Sequence, residues 1–128
     1  MAVSYHALGA VAQDRGELAA AEDWYRQSLA IHEALGAQSN MASSYHQLGT
    51  VAEDRSDLAA AEDWYRKSLV IKEALGDRSG MASGYHHLGM VARARGDLAA
   101  AEDWYRKSLA INEDLRNEPE QTGQSDLS

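Results

Sequence analysis

The chain has 128 residues, 45% of them hydrophobic, and a net charge of −8 at neutral pH. That length is one domain with room for a core, and the acidic balance argues against a nucleic-acid partner, which would ask for clustered Lys and Arg. Having no cysteine, the chain holds no disulfide, thiolate metal site or cysteine nucleophile, and no apolar run approaches the ~20 residues of a membrane span.

The first helix is expected from Met1 to about Asp14, within a stretch rich in Ala, Leu, Glu and Arg that has no proline before Pro119. At 100° per residue, Met1, Ala2, Tyr5, Leu8, Gly9, Val11 and Ala12 share one face. The opposite face carries Val3, His6, Ala7, Ala10, Gln13 and Asp14. Arg15-Gly16 breaks the pattern, and a second helix is predicted from Leu18 to Leu35, ended by a left-handed Gly36. Its apolar arc is too broad for one partner helix. The side around Leu18, Tyr25 and Leu29 is assigned to the unit's own first helix, and the side around Trp24, Ile31 and Leu35 to the following unit. Ser39 is the expected N-cap of a third helix beginning near Met41. The layout then repeats, with a break at Ser56-Asp57, an end at Gly76 and Ser79 as the next cap.

This recurrence has a period of forty. LAAAEDWYR stands unchanged at Leu18–Arg26, Leu58–Arg66 and Leu98–Arg106, and aligning the copies leaves 23 identical columns. Such a period is the signature of a stacked repeat array, in which identical columns build the junctions. Three units follow, 1–40, 41–80 and 81–115, with 116–128 as a disordered polar tail. Glu22–Arg26, Asp63–Lys67 and Asp103–Lys107 have the spacing of exposed ion pairs along a helix.

The order Tyr5-x-x-Leu8-Gly9, then Gly16, Leu18, Ala21, Tyr25 and Ser28-Leu29, resembles the tetratricopeptide repeat. The resemblance covers residues 1 to about 115 and implies an all-α, right-handed superhelical solenoid of three helix-turn-helix units. Two departures stand out: the repeat is longer than the usual ~34 residues, and the customary proline near the end of helix two is Glu33, Glu73 or Glu113. Long units of this kind look like those of kinesin light chains and of repeat arrays attached to bacterial signalling ATPases.

Columns 3, 7, 10 and 14 differ between copies and form one stripe of a helix, flanked by column 13 and the unvarying histidine of column 6. By the resemblance, this stripe lines a concave groove that binds a protein or peptide segment. Its residues are Val3, His6, Ala7, Ala10, Gln13 and Asp14, then Ser43, His46, Gln47, Thr50, Glu53 and Asp54, then Ser83, His86, His87, Met90, Arg93 and Ala94. The expected ligand carries a basic residue opposite unit two and an apolar one opposite Met90. The alternative is a solvated face free to vary. The Lys/Asn clamp by which related domains hold chaperone C-termini is missing, because its columns carry His6, His46 and His86 with Ala10, Thr50 and Met90.

No metal, cofactor or catalytic role is expected. Equivalent positions on stacked helices lie ~8–10 Å apart, too far for the three histidines to share an ion easily, and each is expected against a neighbouring Tyr or Gln. No GxSxG, HExxH or phosphate-binding loop is present, and the candidate Ser, His and Asp residues mostly recur in every unit.

The ends carry the last expectations. The face of Trp104, Ile111 and Leu115 has no following unit, and that of Met1, Tyr5 and Leu8 no preceding one. Exposed apolar ends mark interfaces, so head-to-tail self-association is a second functional reading. A third is a ligand-sensing segment of a larger bacterial signalling ATPase, since Met1 falls in a column that is Met in every copy and so suits an internal residue. The start, MAVSYHALGAVAQ, lacks the basic and apolar regions of a signal peptide, which points to the cytoplasm.

Overall fold

Backbone geometry enforces the breaks between helices. At Gly16 and Gly96 the chain turns through φ +76° and +81°, in the left-handed region that glycine enters freely. Unit two places Ser56 there instead, at φ 62°. The computed structural model describes residues 2–117, with side chains from Ser4 onward. Met1, the side chain of Val3 and the expected tail beyond Asn117 lie outside the described residues.

The described residues form helices α1 (Ala2–Asp14), α2 (Leu18–Leu35), α3 (Gln38–Asp54), α4 (Leu58–Leu75), α5 (Arg78–Ala94) and α6 (Leu98–Arg116), with no strand among them. Each packs against the next in the chain, alternately within a unit and between units. α2 and α4 end where expected, at left-handed Gly36 and Gly76, whose N–H groups return to the Glu33 and Glu73 carbonyls. α3 and α5 begin three residues earlier than Met41 and Met81, so Ser39 and Ser79 lie inside the helices. The cap of α5 is Asp77, whose carboxylate accepts from the Gly80 N–H at 3.0 Å; its counterpart Ala37 has no group to do so.

Within a unit, the helices close on a glycine. A Cβ on Gly49 would lie 2.5 Å from the Tyr65 ring, and Gly9 and Gly89 meet Tyr25 and Tyr105 in the same way. Ser68 and Ser108 are buried beside these rings' helices and donate to the carbonyls of Ala42 and Ala82. Between units, Leu48 and Val51 close over Ala21, Tyr25 and Leu29, and Leu88 and Val91 over Ala61, Tyr65 and Leu69.

These contacts divide the faces of the second helix differently from the expectation. Tyr25 meets its own unit's first helix at Gly9 as expected, but Trp24 faces that helix too, and Leu18 and Leu29 face the next unit. Trp24, Trp64 and Trp104 stack on Tyr5, Tyr45 and Tyr85 of their own units, at 5.7–5.8 Å between centroids. The side carrying Leu18, Tyr25 and Leu29 is the one the next unit covers: Leu29 and Leu69 are 7% and 6% exposed, and Leu109, with no unit following it among the described residues, is 55% exposed. Trp104 and Ile111 remain half-buried like their counterparts in units one and two, so that side keeps its partial burial with no following unit among the described residues. Leu35 is 75% exposed even with one present, and Leu115 is half-buried. A helical wheel orders side chains around one axis but says nothing of where the neighbouring axis lies.

The expected ion pair forms between Glu22 and Arg26 at 2.8 Å. Its equivalents in the other units are Glu62–Arg66 and Glu102–Arg106. Lys67 and Lys107 turn instead over the Trp64 and Trp104 rings, each 5.0 Å from the centroid.

Candidate functional site

The stripe of variable columns lies along α1, α3 and α5, and its residues meet across the unit boundaries. Gln13 is the first link. Its Nε2 donates to Thr50 Oγ1 at 3.1 Å and to Asp54 Oδ2 at 2.9 Å, while its Oε1 accepts from the Tyr25 hydroxyl at 3.1 Å. One unit later, the Tyr65 hydroxyl donates to Glu53. Burial, that hydrogen bond and the nearby carboxylates of Glu53 and Asp54 all hold the Tyr65 phenol above its ordinary range, so it stays a donor.

Each histidine of column 6 rests on the tyrosine of its own unit: His6 on Tyr25 at 5.4 Å, His46 on Tyr65 at 5.2 Å and His86 on Tyr105 at 5.4 Å. This is the expected arrangement against a neighbouring Tyr. Across the boundary, His46 meets His87 edge to face at 4.5 Å, and His87 Nδ1 lies 2.8 Å from the Ser83 carbonyl, which a protonated Nδ1 satisfies. No group of three or more His, Asp or Glu side chains among the described residues is arranged to hold a metal ion. Burial lowers the His46 pKa to about 4, and His87 and Lys72 add to the effect, so this ring is neutral at neutral pH.

Two openings flank this row. One, of about 360 Å³, is polar and lined by Ser43, His46, Gln47, Lys72, Asp77 and Ser83 among others. The second, also about 360 Å³, brings Glu53 of unit two to Met90, Arg93, Ala94 and Tyr105 of unit three. Met90 is 39% exposed there, and His86, Arg93 and Asp14 are exposed as well. Thus Gln13, Thr50, Glu53 and Asp54 are tied into the wall, while Met90, Arg93 and His86 present free surface.

Lys72 and the three tyrosines belong to this region, and the variable stripe of the first helices missed them. Lys72 had a signal: column 32 is His32, Lys72 and Asn112, different in every copy. Burial pushes its ammonium below the ordinary range, against the opposing charge of Asp77. The unexpected column 33 also finds a role, since Glu33 and Glu73 accept hydrogen bonds from the Tyr45 and Tyr85 hydroxyls of the next unit at 3.2 and 3.0 Å.

Stacked helix pairs joined by small residues and tyrosines define a helical repeat protein, with its variable residues gathered on one side. The sequence profile of the tetratricopeptide repeat matches residues 1–74 and 41–114, and the chain belongs to that family. No curated protein matches it in sequence. In structure it is similar to BtubC (BKLC) from P. vanneervenii, at TM-score 0.86 and 22% identity over 91% of this chain and 48% of that one. It also resembles the TPR domain of Arabidopsis FLU, at TM-score 0.81 and 19% identity over 88% and 94% of the two chains. A Podospora anserina putative kinesin light chain with nearly identical TPR-like repeats gives TM-score 0.75 and 17% identity over 94% and 60%. The chain spans about half the length of the first of these. Arrays of this family serve in general as scaffolds for protein–protein interaction rather than as catalysts. No helix among the described residues is long and apolar enough to cross a membrane.

Proposed function

We propose that this array binds an extended or helical segment of a partner protein along the variable stripe of α1, α3 and α5. One observation carries the reading: the opening where Glu53, Met90, Arg93 and Tyr105 converge is built almost wholly from columns that differ between units. An apolar side chain of the ligand fits against Met90 and Tyr105, since thioether and aromatic surfaces adapt to many shapes. A cationic side chain toward unit two meets Glu53 and Asp54, and an acidic one meets Arg93. The ligand is thus a segment of mixed charge around an apolar anchor.

Selection from a displayed random-peptide library tests this directly. The enriched peptides should share an apolar residue next to a Lys or Arg. Glu53→Gln with Asp54→Asn should weaken them several-fold, and Arg93→Glu should change the preferred sequence. Glutamine at 53 keeps an acceptor for the Tyr65 hydroxyl, which Lys would leave unsatisfied. Binding that ignores all three substitutions would move the site elsewhere.

A further inference from the structure

The two terminal faces of the described array are the two halves of its internal junction. Leu48, Val51, Leu88 and Val91, which close the internal junctions, are each 1% exposed, whereas their counterparts Leu8 and Val11 on α1 are 44% and 48% exposed. At the other end, Leu98 and Leu109 of α6 are 68% and 55% exposed, beside an open apolar hollow of about 480 Å³ floored by Ala101 and Tyr105. The equivalents Leu29 and Leu69 are buried under the following unit.

The polar contacts that set the register have halves in the same places that lack a partner across a junction among the described residues. Inside the chain, Arg55 reaches back to Glu22 and Arg95 to Glu62, both at 2.6 Å. Likewise the Arg26 guanidinium lies 5.1 Å over the Trp64 ring, and that of Arg66 lies 5.2 Å over Trp104. The corresponding residues at the ends are Arg15 with Trp24 on one face and Glu102 with Arg106 on the other. Apolar shape, charge order and cation–π geometry therefore all match between the two faces.

We infer that a second copy of this chain docks head to tail, seating Leu8 and Val11 of its α1 in the hollow of Leu98, Tyr105 and Leu109 on α6. Arg15 of the incoming copy then meets Glu102, as Arg55 meets Glu22. Because the contact is heterologous and repeats the operation that relates the units, it does not close, and chains add one after another. This surface adjoins the variable stripe, with Arg93 and Tyr105 lining both openings, but it is argued from the junction residues Leu8, Val11, Leu98 and Leu109 and not from the ligand proposed for the stripe.

Complementary blocking tests the inference. One variant, Leu8→Glu with Val11→Glu, loses the leading face; another, Leu109→Glu, loses the trailing face. All three positions are exposed, so each chain should keep its helical circular dichroism. Sedimentation of the wild-type 128-residue chain should show mass growing with concentration. Each variant alone should be monomeric, and their equimolar mixture should form a dimer that grows no further. As a variant that touches no apolar side chain, Glu102→Arg should weaken association, and Arg15→Glu in the other copy should restore it. A wild type that is monomeric at every concentration overturns the inference, whether residues 118–128 or nothing at all covers α6. So does a Leu8→Glu/Val11→Glu chain that still dimerises, which would mean symmetric pairing of two α6 faces.

Discussion

Leu69 and Leu109 are the same letter in the same column, each closing the run LAAAEDWYRKSL, yet one is 6% exposed and the other 55%. Tyr65 and Tyr105 divide in the same way: the first is 1% exposed and the second half-buried. Both tyrosines touch the glycine of their own unit, so the contacts within a unit are intact at each place. What differs is the next unit. In a stacked array, local sequence fixes the helix and its pairing, and a neighbour decides which side chains become core.

The widest gap should come from truncating those leucines. Leu69→Ala should destabilise the fold by about 3–4 kcal/mol, the usual cost of a cavity in a core. Leu109→Ala should cost less than about 1 kcal/mol, as surface changes do. Urea unfolding at high dilution, where chains are separate, reads both.

Next in size is the acid limb of stability. The unfolded His46 ring takes up a proton below its ordinary pKa of 6.5, whereas the folded ring resists until about 4. The unfolded state therefore binds more protons between those values, and stability is lost as pH falls from 6.5 to 4, by roughly 3 kcal/mol at most. The groups facing the ring are Tyr65, His87 and Lys72. His46→Phe should flatten this part of the pH profile, and the same change at the exposed His86 should leave it in place.

A smaller effect separates unit two from its neighbours at the interhelical break. Ser56 adopts the left-handed conformation that Gly16 and Gly96 occupy in the other units. Ser56→Gly should therefore stabilise the chain by about 1 kcal/mol, the strain relieved at such a position. A thermal melt showing a lower midpoint would contradict that account.

Much of this architecture was readable from the letters. The period placed six helices, the bounds of α2 and α4 fell where Leu18, Leu35, Leu58 and Leu75 put them, and Gly36 and Gly76 ended them as expected. Caps were harder. Asp77 displaced Ser79 because α5 starts a turn sooner, where the Asp77 carboxylate accepts from the Gly80 N–H. Tyr25 met its own first helix as expected, but Trp24 and Leu29 were given the wrong neighbours because amphipathicity gives directions around an axis, and the position of the next axis depends on how Tyr25 and Gly9 set the pair. At the candidate site, the variable stripe identified the residues that meet across boundaries, such as Gln13 with Thr50 and His46 with His87. It left out Lys72, which reaches the same opening from the second helix.

The most direct measurement uses the nine residues repeated three times. Amide hydrogens in 19–26, 59–66 and 99–106 have the same intrinsic exchange chemistry, so any difference in protection reflects surroundings alone. Residue-resolved exchange on the dilute chain should find the middle copy slowest and the third copy fastest. Equal protection in all three, or the greatest protection in the third, would contradict the claim that the neighbouring unit makes the core.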